Sequence, residues 1–325
     1  MKMNPIANEK MVHAYKEMQT IRSFEERLAH EAATTAFVGP LHLYTGAEGS
    51  AVGVCMNLDS RDRLYSTHRP HGHCVARGVD IKGLMLEIYG RQGGVCNGKG
   101  GSMHLADPDV GLMGANAIVS GAMPLVCGAA LSAKTLKTGG VVVGFTGDGG
   151  SNQGQFLESL NFASVFKLPA IFVIEDNGFA ETTASSWSCA GDHLKRAEGF
   201  GMPGRRVDGA DVFEVYDAVR EAVERARSGE GPTLLHILVE RFHPHEEGVS
   251  DAMRLPEQLE WAKANRDPIK NLKARMLTSE VITQSALDEI DRNIERVIDQ
   301  AVIEAKAAPT IPLDQLLTDV YHNYP

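Results

Sequence analysis

Short apolar runs that end in glycine or polar residues recur along the chain and predict buried strands of a parallel sheet. Residues 141–145 and 170–175 are rich in β-branched and aromatic side chains, and between them apolar residues recur at helical spacing over 152–167. This order predicts a strand, a glycine-rich turn, a helix and a second strand. Because the crossover in such units is right-handed, both strands are expected to end at the same edge of the sheet.

The same patterns predict the remaining elements. Further strands are expected at 63–66 and 233–240, whereas 90–114 is rich in glycine and aperiodic, as is typical of functional loops. The predicted helices cover residues 8–32, 47–57, 81–89, 122–136, 212–228, 257–277 and 286–307. With no repeat or linker, the expected architecture is one α/β domain over 1–325, a parallel sheet flanked by helices. Its core spans about 15–280 and its helical C-terminal extension about 281–325, ending in an extended arm from Pro309.

Two oxygen-bearing side chains follow the paired strands. Asp148 lies in the turn GDGG at 147–150, and Asn177 follows the run 170–175. Glycines leave backbone N–H groups open, and the next helix presents its N-terminus to anions. One carboxylate and one amide suit Mg²⁺, which completes its coordination with phosphate oxygens and water. The pattern indicates a Mg²⁺-diphosphate site, with ordinary turn glycines and a capping aspartate as the alternative. The dinucleotide fingerprint fails, because position 152 is Asn.

Composition and charge narrow the classes of function. The net charge of −10 argues against nucleic acid and anionic membranes as partners. The first residues carry no apolar signal region, and no run of 18 apolar residues is present. The five cysteines are scattered without a C-x-x-C pair, which favours reduced thiols and a cytoplasmic protein.

Two other motifs offer alternatives. Residues 93–99 match the start of a P-loop, but Gly100 replaces the Ser or Thr and no strand precedes the segment. His68, His71, His73 and Cys74 crowd one loop and offer zinc ligands, although Arg69 among them would repel the ion. A zinc-dependent hydrolase built on this loop is therefore the alternative from a different class, and an ordinary surface loop is the simpler interpretation.

Several stretches together resemble the α subunit of the thiamine diphosphate-dependent first component of 2-oxo acid dehydrogenase complexes. The turn 147–150 followed by Asn177 is similar to the thiamine diphosphate motif of that family. The other matching stretches are GPLHLYTG (39–46), STHRPHGH (66–73), GKGGSMH (98–104), MGANAIV (113–119) and GPTL (231–234). They occur in the family's order, and the first two look most like the acetoin dehydrogenase branch.

The resemblance implies roles for residues at matching positions. Mg²⁺ would be held by Asp148, Asn177 and the backbone carbonyl of Phe179. The catalytic histidines implied are His245, which stabilises charge on the reacting carbonyl, His42 on the substrate side, and His71 at the active-site mouth. The cofactor-binding residues implied are His68, Arg69, Ala117, Val119, Asp148, Gly149, Gly150, Asn177 and His245.

Some positions depart from the family's pattern. Ala117 replaces a glycine, Asp176 replaces the first of two asparagines, and Phe179 stands where tyrosine is common. Glu246 replaces the serine that is phosphorylated in animal relatives, so that form of control is not expected.

The resemblance also implies cofactors and partners: thiamine diphosphate, Mg²⁺, a β subunit in an α2β2 heterotetramer, and a lipoyl-bearing acyltransferase core. The glutamate that activates the cofactor would come from the β subunit, because this chain has no candidate in a matching motif. The reaction expected is cleavage of acetoin, with pyruvate or a branched 2-oxo acid as alternative substrates. A non-catalytic α-type subunit that serves assembly is the remaining alternative.

Overall fold

A six-stranded, wholly parallel sheet lies at the centre of the computed structural model, which describes residues 7–35, 37, 39–251 and 253–319. The strand order is β2-β1-β3-β4-β8-β7, and a short antiparallel hairpin pairs β5 with β6. The strands are β1 (Arg63–Ser66), β2 (Leu112–Ala115), β3 (Val142–Gly147), β4 (Ala170–Asp176), β5 (Phe179–Ala180), β6 (Thr183–Ala184), β7 (Gly204–Asp208) and β8 (Thr233–Leu238).

Helices cover both faces of the sheet. They are α1 (Asn8–Ala32), α2 (Glu48–Cys55), α3 (His71–Arg77), α4 (Ile81–Ile88), α5 (Met123–Leu136), α6 (Gly154–Val165), α7 (Ser185–Ser188), α8 (His193–Gly199), α9 (Val212–Arg227), α10 (Pro256–Asn265), α11 (Pro268–Thr278) and α12 (Gln284–Ala307). Short 3₁₀ turns lie at Pro108–Val110, Gly150–Asn152 and Leu313–Gln315.

Alternating side chains of the central strands divide the core into two layers. Val143 and Phe145 of β3 pack toward α1, α2, α9 and α12, whereas Phe172 and Ile174 of β4 pack toward α5 and α6. Each of these side chains is at most 1% exposed, and burying one contributes roughly 1.5–3 kcal/mol. The two layers hold the sheet rigid, so the loops at its carboxyl edge have a fixed base.

The predicted strand–helix–strand unit is confirmed: β3 and β4 are parallel neighbours, with Val142 opposite Ala170. Two edge strands were not predicted. Strand β7 carries Arg205 and Arg206, which interrupt any apolar run, and β2 is only four residues long at the end of the glycine-rich segment. An edge strand has a neighbouring strand on one side only and is partly exposed, so its sequence lacks the continuous apolar run of a central strand.

Two predicted elements differ in detail. The helix expected over 257–277 is two helices, because Asp267 accepts hydrogen bonds from the N–H groups of Ile269 and Lys270 and so starts α11 at Pro268. The histidine-rich loop is partly helical, since α3 begins at His71.

The C-terminal helix α12 packs against α1 and α4, and its Ile298 and Val302 lie in the same core layer as β3. The arm that follows runs along the glycine-rich loop, where Thr310 bridges Arg91. Its last residues, 320–325, lie outside the described part of the chain.

Candidate active site at the sheet switch point

The strand order reverses direction between β1 and β3, and a pocket of 340 Å³ opens at the carboxyl ends of these two strands. The chain leaves β1 toward β2 on one side and leaves β3 toward β4 on the other. Open α/β sheets bind ligands at such a point because the diverging loops leave a crevice. Residues that follow β1, β3, β4 and β8 line the pocket.

The turn after β3 places the carboxylate of Asp148 at the floor of the pocket. Ser185 donates a hydrogen bond to Asp148 Oδ2 at 2.7 Å. Burial raises the pKa of Asp148 and the nearby Asp176 adds to this, although the Ser185 hydrogen bond opposes it. Position 150 requires glycine, because a Cβ there would lie 2.2 Å from Thr146 Oγ1. Asn177 faces the same pocket from the end of β4.

Two arginines, Arg69 and Arg241, provide positive charge in the lining of the pocket. Arg69 donates to the carbonyls of Leu43 at 2.5 Å and His245 at 3.0 Å. Arg241 is 3% exposed, and its Nε and Nη1 have no hydrogen-bond partner within the described residues. Its ion pair with Asp251 is long, at 3.7 Å. Burial lowers the pKa of each guanidinium to about 10, and their neighbouring positive charges contribute. The pocket is therefore arranged for an anion with several oxygens.

Three imidazoles, those of His42, His68 and His245, form a cluster in the pocket lining. The ring centroids of His42 lie 4.8 Å from His68 and 4.9 Å from His245. Burial, followed by the charge of Arg69, lowers the pKa of His42 to about 2, of His68 to about 3 and of His245 to about 4. All three rings are consequently neutral at physiological pH, and each offers one N–H donor and one acceptor nitrogen.

The structure brings together nearly all the residues that the sequence predicted. Those lining the pocket are His42, His68, Arg69, Ala117, Val119, Asp148, Gly149, Gly150, Asn177, Phe179 and His245. Their roles toward a cofactor or substrate stay predictions.

His71, predicted at the active-site mouth, is the exception, because it does not line the pocket. It is fully buried behind the pocket wall, with Nδ1 3.0 Å from Glu25 Oε2 and Nε2 2.9 Å from Ser102 Oγ. The reason is local: α3 starts at this residue, and the helix directs the imidazole toward α1.

The alternative zinc site on the histidine-rich segment is wrong. His73 turns inward to Ser66 and Glu175, and Cys74 is fully buried in the apolar core. In the described part of the chain, the groups that could hold a metal are His42 with His68 and His245, and Asp176 with His193 and His236. The second group contains none of the residues proposed from the sequence.

The P-loop-like segment 93–99 binds a carboxylate of the chain itself. Glu87 accepts hydrogen bonds from the N–H groups of Cys96, Gly98 and Gly100, each at 2.7 Å. A bound phosphate would need these same N–H donors, which Glu87 already occupies. The geometry therefore agrees with the sequence-based argument against a nucleotide-triphosphate site.

Two pocket residues were missed by the sequence reasoning. Glu175 accepts hydrogen bonds from Tyr44 and Ser50; burial would raise its pKa, but the His73 imidazole and these donors hold it below its usual value. Arg241 follows β8 at the sheet edge, as Asn177 follows β4. Its position directly after the strand predicted at 233–240 is the sequence signal that could have identified Arg241.

Comparison with known proteins adds relatives of this chain. The model of the dehydrogenase E1 component family matches residues 16–314. The chain is 49% identical over 321 residues to the α subunit of acetoin:2,6-dichlorophenolindophenol oxidoreductase of Cupriavidus necator, covering 98% of this chain and 96% of that one. It is 42% identical to the Bacillus subtilis protein of the same description, with the same coverage, and 36% identical to the pyruvate dehydrogenase E1 component α subunit of Rhizobium meliloti, covering 94% and 88%. None of the described helices is long and apolar enough to cross a membrane.

Proposed function

The chain belongs to the dehydrogenase E1 component family, and from that premise we propose that it is the α subunit of a thiamine diphosphate-dependent dehydrogenase that cleaves acetoin. The observation that carries the proposal is the pocket at the switch point, where Asp148 and Asn177, the two arginines and the three imidazoles converge. The two relatives described as acetoin oxidoreductases are more similar to this chain than the pyruvate dehydrogenase subunit is, which supports acetoin as substrate.

The residues present fit a Mg²⁺-diphosphate group. Arg241 is a buried cation whose one ion pair among the described residues is long and whose Nε and Nη1 lack partners there, and a diphosphate beside it and Arg69 would supply further negative charge. Asp148, Asn177 and the carbonyl of Phe179 would hold Mg²⁺, and the turn 149–150 would present its N–H groups. When bound, thiamine diphosphate supplies a carbon nucleophile and an electron sink for carbon–carbon bond cleavage.

The chain's own residues bind and orient the reactants. His245 and His42 are neutral, so each would stabilise a developing alkoxide by donating a hydrogen bond from its single ring N–H. His68, Ala117 and Val119 would form the wall beside the cofactor. His71 would act indirectly, by fixing Ser102 behind that wall.

The acidic residues of the pocket support a separate source for the activating glutamate. Glu175 accepts hydrogen bonds from Tyr44 and Ser50, and Asp148 accepts one from Ser185 and would bind Mg²⁺. We therefore propose that a β subunit supplies this glutamate in an α2β2 assembly, and that a lipoyl-bearing acyltransferase accepts the two-carbon unit. The unpaired cysteines support a reducing, cytoplasmic setting.

The test is reconstitution. The chain is purified alone and together with a β subunit, and dye reduction is measured with acetoin, pyruvate and a branched 2-oxo acid, with and without Mg²⁺ and thiamine diphosphate. Activity is expected only in the complex, with kcat/KM for acetoin at least about tenfold above that for pyruvate, as one or two pocket contacts allow. Activity of the chain alone would contradict the subunit proposal, and a preference for pyruvate would contradict the substrate.

A further inference from the structure

A second cluster of metal-ligating side chains lies at the carboxyl edge of the sheet, outside the pocket lining. It consists of Asp176 at the end of β4, His236 in β8 and His193 at the start of α8. One ligand atom from each residue lies within 4.8 Å of the other two. Both imidazoles are buried, at 5% and 4% exposure, and the Asp176 side chain is 14% exposed.

Hydrogen bonding explains one part of this cluster. His236 Nε2 lies 2.8 Å from Asp176 Oδ2, and Arg206 Nε donates to His236 Nδ1 at 3.4 Å. This pair alone is an ordinary histidine–carboxylate interaction that needs no ion.

His193 is not explained in that way. Its Nδ1 lies 3.2 Å from Ser151 Oγ, which leaves Nε2 pointing at the shared carboxylate from 4.0 Å, beyond hydrogen-bond distance. The other neighbour recorded for Nε2 is the sulfur of Cys189, at 3.8 Å. The Nε2 atom of His193 is thus buried and faces the carboxylate without a direct hydrogen bond, with the weakly hydrogen-bonding sulfur of Cys189 as its partner.

The spacing suits a tetrahedral ion. Ligand atoms around zinc lie roughly 3.4 Å apart, and the separations from Asp176 Oδ2, 2.8 and 4.0 Å, fall on either side of that value. Two imidazole nitrogens and one carboxylate oxygen favour Zn²⁺ over Mg²⁺, which prefers oxygen ligands. The neighbouring thiol of Cys189 adds a soft donor to the same environment.

We propose that Asp176, His193 and His236 form a zinc site distinct from the diphosphate pocket. The ion ties the ends of β4 and β8 to the start of α8, across the segment 177–192 that includes Phe179. It also fixes Asp176, whose Oδ1 lies 3.4 Å from the Ser185 hydroxyl that holds Asp148. Zinc binding through Nε2 of His236 moves the ring proton from Nε2 to Nδ1, and the long hydrogen bond from Arg206 to Nδ1 is given up.

The site is tested on the full chain without thiamine diphosphate, so the result does not depend on the proposed function. The protein is stripped with a chelator, and Zn²⁺ binding is measured by calorimetry and by metal analysis after dialysis against Mg²⁺. One Zn²⁺ per chain is expected to remain. His193→Ala and His236→Ala should each weaken zinc binding by more than about tenfold. Changes to residues that only support metal ligands already lower metal affinity by about tenfold or more, so loss of a ligand should cost more.

The matched control is His42→Ala, which disrupts the other histidine cluster and should retain wild-type zinc binding. His193→Gln keeps a polar side chain toward Ser151, and its circular dichroism spectrum verifies folding. Zinc should raise the thermal midpoint of the wild type and of His42→Ala, but not of His193→Gln. No retained zinc in the wild type, or loss of zinc in His42→Ala with retention in His193→Gln, would overturn the proposal.

Discussion

Replacing Arg241 by methionine separates the binding role of this residue from a structural one. The guanidinium is 3% exposed, two of its nitrogens have no partner within the described residues, and Asp251 pairs more closely with Arg254 than with Arg241. Methionine keeps most of the volume and removes the charge. The substitution should therefore change the stability of the unliganded chain little, whereas an anion in the pocket should bind more weakly because it loses a charged partner.

The magnitude follows from the pKa of the guanidinium. Burial, together with Arg254, lowers it from 12.5 to about 10, and at about 1.4 kcal/mol per pH unit this corresponds to about 3 kcal/mol against the charged form. Removing an under-paired buried charge should leave the free energy of unfolding unchanged or raise it by about 1–3 kcal/mol. Losing a charge-assisted hydrogen bond to diphosphate should weaken cofactor binding by about 10–100-fold.

Two measurements check this. Urea denaturation of the unliganded chain gives the change in unfolding free energy, and calorimetry of the α/β complex with Mg²⁺ gives the dissociation constant of thiamine diphosphate. Arg205→Met is the matched control, because Arg205 is an exposed arginine paired with Glu221 on the surface. It should change stability by less than about 0.5 kcal/mol and leave cofactor binding unaltered.

The reasoning is refuted if Arg241→Met lowers the unfolding free energy by more than about 1 kcal/mol while cofactor affinity is unchanged. That combination would make Arg241 a structural residue of the loop after β8.

Three further predictions follow from the same geometry. Asp148→Asn should abolish the Mg²⁺ dependence of thiamine diphosphate binding, measured by calorimetry; equal affinity with and without Mg²⁺ in the wild type would contradict the metal assignment. Gly150→Ala would place its Cβ 2.2 Å from Thr146 Oγ1, so it should impair cofactor binding and lower the thermal midpoint, and a fully active variant would show that the turn tolerates a side chain. His243 has its pKa raised to about 9, since Glu247 and Glu26 outweigh burial, so its stabilisation is complete below about pH 6.5 and is lost as the pH rises through 9. In urea titrations, His243→Gln should accordingly lower the free energy of unfolding by about 1–2 kcal/mol at pH 6.5 and by almost nothing at pH 10. The effect is small because Glu26 is partly exposed, and a loss that does not depend on pH would contradict the ion pairs.

Much of the fold was predictable because its signals are local. The runs at 141–145 and 170–175 are buried on both faces, so apolar residues fill them and the strands can be identified from composition alone. The glycines of 147–150 mark a turn that no other residue fits at position 150. Edge strand β7 gave no such signal, because Arg205 and Arg206 form ion pairs at the exposed side of the strand and do not pack in the core.

The resemblance predicted which residues lie in the pocket, but it did not predict their protonation states or the residues they contact. His42, His68 and His245 come from three separate segments, and their low pKa values arise only because folding buries them beside Arg69. His71 lies three residues after His68 and points the other way, since a helix begins between these two side chains and the core receives one of them.

By itself, the sequence determined the parallel sheet, the glycine-rich turn and the family, because strand burial, turn glycines and motif order are properties of short segments. The tertiary structure decided which side chains meet. The reversal of strand order between β1 and β3 opens the pocket, and the packing of β8 beside β4 brings Arg241 into its lining. The same edge of the sheet brings Asp176 close to His193 and His236. Contacts between residues far apart in the chain depend on the path of the backbone, and no local pattern encodes them.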